Sequence, residues 1–70
     1  MKVVIKSNNK IVNRFNNVLQ FHIEAEGFCE ETYFHLVMMQ KTPLEGVKRI
    51  VIENIEPSSI CVYNDNYLIQ

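Results

Sequence analysis

Apolar and polar residues alternate with a period of two along most of this chain, and clusters of turn-forming residues interrupt the alternation at short intervals. The clearest stretch lies between residues 19 and 39. Leu19, Phe21, Ile23 and Ala25 alternate with Gln20, His22, Glu24 and Glu26; beyond a break, Thr32, Phe34, Leu36 and Met38 alternate with Tyr33, His35, Val37 and Met39. Successive strand side chains point to opposite faces, so each run reads as a strand with one face turned to a core. Turn clusters at SNNK (7–10), EGFCE (26–30), TPLEG (42–46), EPSS (56–59) and NDN (64–66) divide the chain into short segments, the rhythm of a small all-β domain.

The remaining segments fit the same scheme. Lys2 to Lys6 sets Val3 and Ile5 on one face and Lys2, Val4 and Lys6 on the other. A three-residue loop at Asn8, Asn9 and Lys10 would pair Ser7 with Ile11. Ile11 and Phe15 would then join Val3 and Ile5, and Lys2, Lys6, Lys10 and Arg14 would gather on the opposite face. Ile11, Val12, Phe15, Val18 and Leu19 also have helical spacing, but three Asn residues inside that span lower its helix propensity. Ile50, Val51 and Ile52 are apolar on both sides, which predicts an interior strand within 46–55. The last eleven residues read as a hairpin turning at 64–66, with Cys61 as a small core residue and Tyr63 and Tyr67 flanking the turn. The predicted architecture is an all-β, mainly antiparallel single domain over 1–70, five or six strands curled into a small barrel or sandwich. The alternative is an α+β arrangement with one short helix near residues 10–19.

Register sharpens the picture in the central hairpin. A four-residue loop over 27–30 pairs Glu26 with Glu31, which sets Ile23 against Phe34, Phe21 against Leu36 and Leu19 against Met38. The same count puts His22 opposite His35 and Glu24 opposite Tyr33 on the other face. Two opposed imidazoles beside a carboxylate could face one divalent ion. No third histidine or fourth ligand accompanies them, so the reading assigns no metal and no cofactor. No nucleophile is placed beside either histidine, since Cys29 falls at the loop tip, and no phosphate-binding glycine loop is present, so an enzyme is not expected. The unusual feature is that Val18, Tyr33, Val37 and Met39 share the histidine face, which a lone hairpin in water would keep polar. His22, Tyr33, His35, Val37 and Met39 are therefore the candidate protein-interface residues.

Composition bounds what such a domain can do. A chain of 70 residues has room for only a marginal core, so a protein partner or a second copy in a homodimer is a reasonable expectation. At 47% hydrophobic and 21% charged it is too apolar for disorder, and eight Val and eight Ile against one Ala suit strands. Eight Asn with so little Ala also suit an AT-rich coding genome such as those of many phages. The N-terminal apolar run is too short for a signal peptide and no stretch is long enough to span a bilayer, which predicts a soluble, cytoplasmic protein with reduced cysteines.

Charge is segregated although its sum is only −1: the first twenty residues carry Lys2, Lys6, Lys10 and Arg14 and no acid, while the next twenty carry four Glu and no Lys or Arg. These readings lead to a non-enzymatic protein-binding module, in concrete form a small phage-type inhibitor or adaptor that binds and modulates a host protein. The alternative is a small nucleic-acid binder that uses the basic face of Lys2, Lys6, Lys10 and Arg14. Neither a membrane nor a small-molecule substrate is indicated.

Overall fold

The computed structural model describes residues 1–28 and 30–64. Its elements are β1 (Lys2–Ser7), β2 (Lys10–Phe15), β3 (Val18–Phe28), β4 (Glu31–Thr42), β5 (Gly46–Ile52), a single 3-10 turn at Pro57–Ser59, and β6 (Ile60–Tyr63). The all-β reading holds and the helical one does not: residues 10–19 are β2, a corner at Asn16 and Asn17, and the start of β3. The described strands form two three-stranded sheets, ordered β2-β1-β6 and β3-β4-β5, with every pairing antiparallel. The described strands do not close into one barrel. Among the described residues no helix is long and apolar enough to cross a membrane.

Both sheets place residues in the same hydrophobic cluster. Across β3, β4 and β5 the inward rows are Phe21, Met38, Ile50 and Ile23, Leu36, Ile52. Leu36 and Met38 are fully buried there, and β1 supplies Val3 and Ile5, with Phe15 and Ile60 packed against them. Burying a side chain of this size contributes about 1.5–3 kcal/mol, so the few fully buried positions carry much of the stability of so short a chain. Backbone bonds also join the sheets: Val18 N–H donates to the Met1 carbonyl (2.9 Å) and the Met1 nitrogen donates to the Val18 carbonyl (2.8 Å).

Several local expectations change. Only Asn8 and Asn9 separate β1 from β2; both have positive φ (53° and 64°), as a two-residue hairpin turn of right-handed twist requires. Ser7 therefore pairs with Lys10, and a bulge at Val12 lets Lys6 pair with Ile11 while Ile5 pairs with Asn13. Ile11 thus moves to the outward face beside Lys6, while Phe15 packs against the core as expected. A second bulge, at Leu19, brings Val18 to the core side (1% exposed) and leaves Leu19 outside (52% exposed). Among the described strands the 46–55 segment supplies an edge strand rather than an interior one, and the interior strands are β1 and β4. Cys61 lies on the outward side opposite Val4 instead of in the shared core. Cys29, Tyr67 and the second half of the predicted terminal hairpin lie outside the described residues.

Among the described residues the non-glycine positions with positive φ are Asn8, Asn9, Asn17 and Asn54, all asparagine. Asparagine tolerates the left-handed region better than other side chains. In a chain with only two glycines it supplies the turns and corners, so half of the eight Asn have a conformational reason to be there.

The β3-β4 hairpin is much longer than its neighbours, with strands of 11 and 12 residues, and overhangs the core. The radius of gyration is 13.5 Å, above the roughly 11 Å expected of a compact chain of this length. Ile23 remains partly exposed on the inward side of the overhang.

Candidate functional site

The outward face of β3, β4 and β5 is built from alternating positions of three paired strands. Its rows read Gln20, Met39, Arg49, then His22, Val37, Val51, then Glu24, His35, then Glu26, Tyr33. All five interface residues expected from the sequence stand on this face. Their partners differ, because Gly27 and Phe28 belong to the ladder, opposite Thr32 and Glu31, instead of to a loop. Gly27 makes this arrangement feasible: its φ is 143°, and a Cβ there would overlap the Glu31 carbonyl oxygen. The register is thereby displaced by two residues, which keeps the side chains from Gln20 to Glu26 and from Thr32 to Met39 on their expected faces.

The displacement separates the histidines. His22 lies opposite Val37 and His35 opposite Glu24, so the direct His22 to His35 opposition does not form. Each imidazole instead engages its own carboxylate: His22 Nε2 is 3.0 Å from Glu24 Oε1, and His35 Nε2 is 2.9 Å from Glu26 Oε2. His35 is the better anchored, since the Asn54 backbone N–H donates to its Nδ1 at 3.2 Å. The bond to His22 holds the Glu24 carboxyl below its ordinary value of 4.5, with help from the nearby charges of His22, Arg49 and His35. Among the described residues no group of three His, Cys, Asp or Glu side chains is arranged to hold a metal ion.

The centre of the face is apolar. Val37 is only 3% exposed although it lies outside the shared core, while Val51 is 41% and Tyr33 47% exposed, with Met39 half-buried beside them. Polar groups surround this centre: Glu24, Glu26, Arg49 and Glu53 line a shallow depression with Tyr33 and His35. Arg49, Val51 and Asn54 were not anticipated. The alternation of Val47, Arg49 and Val51 was readable, and the Thr42 to Gly46 pairing that sets them beside β4 goes with a three-residue loop, 43–45, followed by a positive-φ glycine (74°) at the start of β5.

The basic residues divide differently than expected. Lys2, Lys6 and Arg14 share the outward face of the other sheet, with Arg14 opposite Val4 and Tyr63 opposite Lys2. The Lys2 ammonium sits 5.3 Å from the centre of the Tyr63 ring. Lys10 does not belong to this set: its pairing with Ser7, after the bulge, turns it to the other side.

Comparison with protein-family models, with curated proteins and with solved structures gives no match.

Proposed function

We propose that the protein is a non-enzymatic binding module that docks a protein partner on the outward face of β3, β4 and β5, acting as a small inhibitor or adaptor. One observation carries this reading. The inward side of the sheet is used by the core, yet its outward side carries adjoining apolar residues Val37, Val51 and Met39, with Tyr33 beyond His35 and with His22, Glu24, Glu26, Arg49 and Glu53 alongside them. An apolar centre with a polar rim is the anatomy of a protein interface. Tyr33 offers a large, amphipathic contact at the edge of that centre, and Arg49 and Glu24 offer charge of both signs for orientation. In this proposal the two sheets are the layers of a small open sandwich, and a cytoplasmic setting suits the free thiol of Cys61.

The test uses substitutions on the exposed part of the face, Val51→Glu and Tyr33→Ala, which leave the core intact. Captured partners and the elution volume on sizing are compared with those of the wild type, with circular dichroism confirming the fold. Loss of a specific partner, or of a dimer, in both variants is expected. Retention of every partner at an unchanged size would rule this face out.

A further inference from the structure

We propose that the outward face of the β2-β1-β6 sheet is a second, independent binding surface and that it takes single-stranded nucleic acid. The three described strands contain Lys2, Lys6, Lys10 and Arg14 and not one acid. The pairing that creates this is non-local: β6, which carries no charge, joins β1 on the side away from β2. Among the described residues Lys2, Lys6 and Arg14 form no ion pair, whereas Lys48 is matched by Glu45 at 3.0 Å. Three cations on one face that form no ion pair among the described residues, in a protein of net charge −1, point to a polyanion.

The spacing favours an extended strand of phosphates. Lys2, Val4 and Lys6 occupy successive positions on the side of β1 away from the shared core; Val4 is only 2% exposed, between the half-buried Lys2 and Lys6, and the exposed Arg14 stands opposite it on β2. The three cations therefore recur about every 6.6–6.8 Å along the strand direction, comparable to the phosphate spacing of a stretched single strand. An aromatic platform adjoins them, since Tyr63 is 46% exposed opposite Lys2, and Ile11 adds an exposed apolar surface opposite Lys6. Cations that follow the backbone beside a ring on which a base can stack are the elements of single-strand binding without sequence preference. An acidic peptide would use the cations but has no need of the ring, which is why nucleic acid is the favoured occupant.

The experiment is fluorescence anisotropy with a labelled ten-nucleotide oligothymidylate at 20 mM salt, repeated at rising salt. Neutralisation of three phosphates predicts a slope of about −2 in log K against log salt. The triple Lys2→Ala, Lys6→Ala, Arg14→Ala variant should bind at least tenfold more weakly and lose most of that slope. Tyr63→Ala should weaken binding by about fivefold or more, the effect of removing a stacking ring. Lys10→Ala, on the other side of the sheet, should remain within about twofold of the wild type, and circular dichroism verifies that each variant is folded. Absence of binding at 20 mM salt overturns the proposal. So does an equal loss in Lys10→Ala, or competition by a polyglutamate peptide at the same charge concentration, which would assign the face to an acidic protein. Equal affinity for a duplex overturns the single-strand assignment. None of these outcomes bears on the protein-binding face of the opposite sheet.

Discussion

Asn54, in the left-handed region just beyond β5, donates its backbone N–H to Nδ1 of His35, a residue on the neighbouring strand β4. A backbone amide can only donate, so Nδ1 must be the acceptor, and the ring proton sits on Nε2, from which it reaches Glu26. A nitrogen-detected spectrum of neutral His35 should show the Nε2-protonated tautomer. His35→Ala should lower the free energy of unfolding by about 1 kcal/mol in urea, the usual net worth of a hydrogen bond that water can partly replace. An Nδ1-protonated ring would contradict the assignment.

Glu24 gives the pH dependence. Its carboxyl is held below 4.5 chiefly by the bond to His22. A depressed carboxyl contributes stability that is present above its unfolded value and is lost as pH falls through the folded value. The contribution should therefore disappear below about pH 4.5 and be small, because both side chains are about half exposed. Carbon-detected titration should find Glu24 titrating below 4.5 in the wild type and moving upward in His22→Ala. The same value in both would remove His22 as the cause.

The bulge at Leu19 makes adjacent apolar residues unequal. Val18→Ala, at a buried position, should cost about 1–3 kcal/mol, whereas Leu19→Ser should change stability by no more than about 0.5 kcal/mol. Chemical denaturation of the two variants tests this directly, and the reverse order would mean that the strand follows simple alternation.

Asparagine at positive φ predicts a distinct response to substitution. Asn9→Gly should preserve or raise the midpoint of unfolding, since Asn-Gly suits the turn at least as well. Asn9→Val should lower stability by about 1–2 kcal/mol, because a β-branched side chain resists the left-handed region. Equal tolerance of Gly and Val, read from thermal unfolding, would exclude that backbone conformation at the turn.

Alternation alone made the faces of β3 and β4 legible. It survived an error of two residues in the predicted register, because a strand repeats every two residues and such a shift returns each side chain to its own side. The partners across the sheet were not legible: they depended on Gly27 entering the ladder beside the Glu31 carbonyl, a backbone approach that hydrophobic pattern does not encode. Apart from Cys61 on β6, the misplaced side chains lie next to the two bulges, at Val12 and Leu19, each within a pair of adjacent apolar residues, Ile11 and Val12 or Val18 and Leu19. At such a step either residue can face the core, and alternation cannot choose between them.

The sequence by itself determined that the chain is built of short antiparallel strands, where most of them turn, and that Val37, Met39 and Tyr33 share a face with the histidines. Those properties follow from local side-chain alternation and turn chemistry. Only the tertiary structure decided that the described strands divide into two sheets and that β6 returns to β1, in a sheet whose three described strands contain no acid. Pairing between residues some sixty positions apart is selected by the fit of whole faces in the core, which no short stretch of sequence contains.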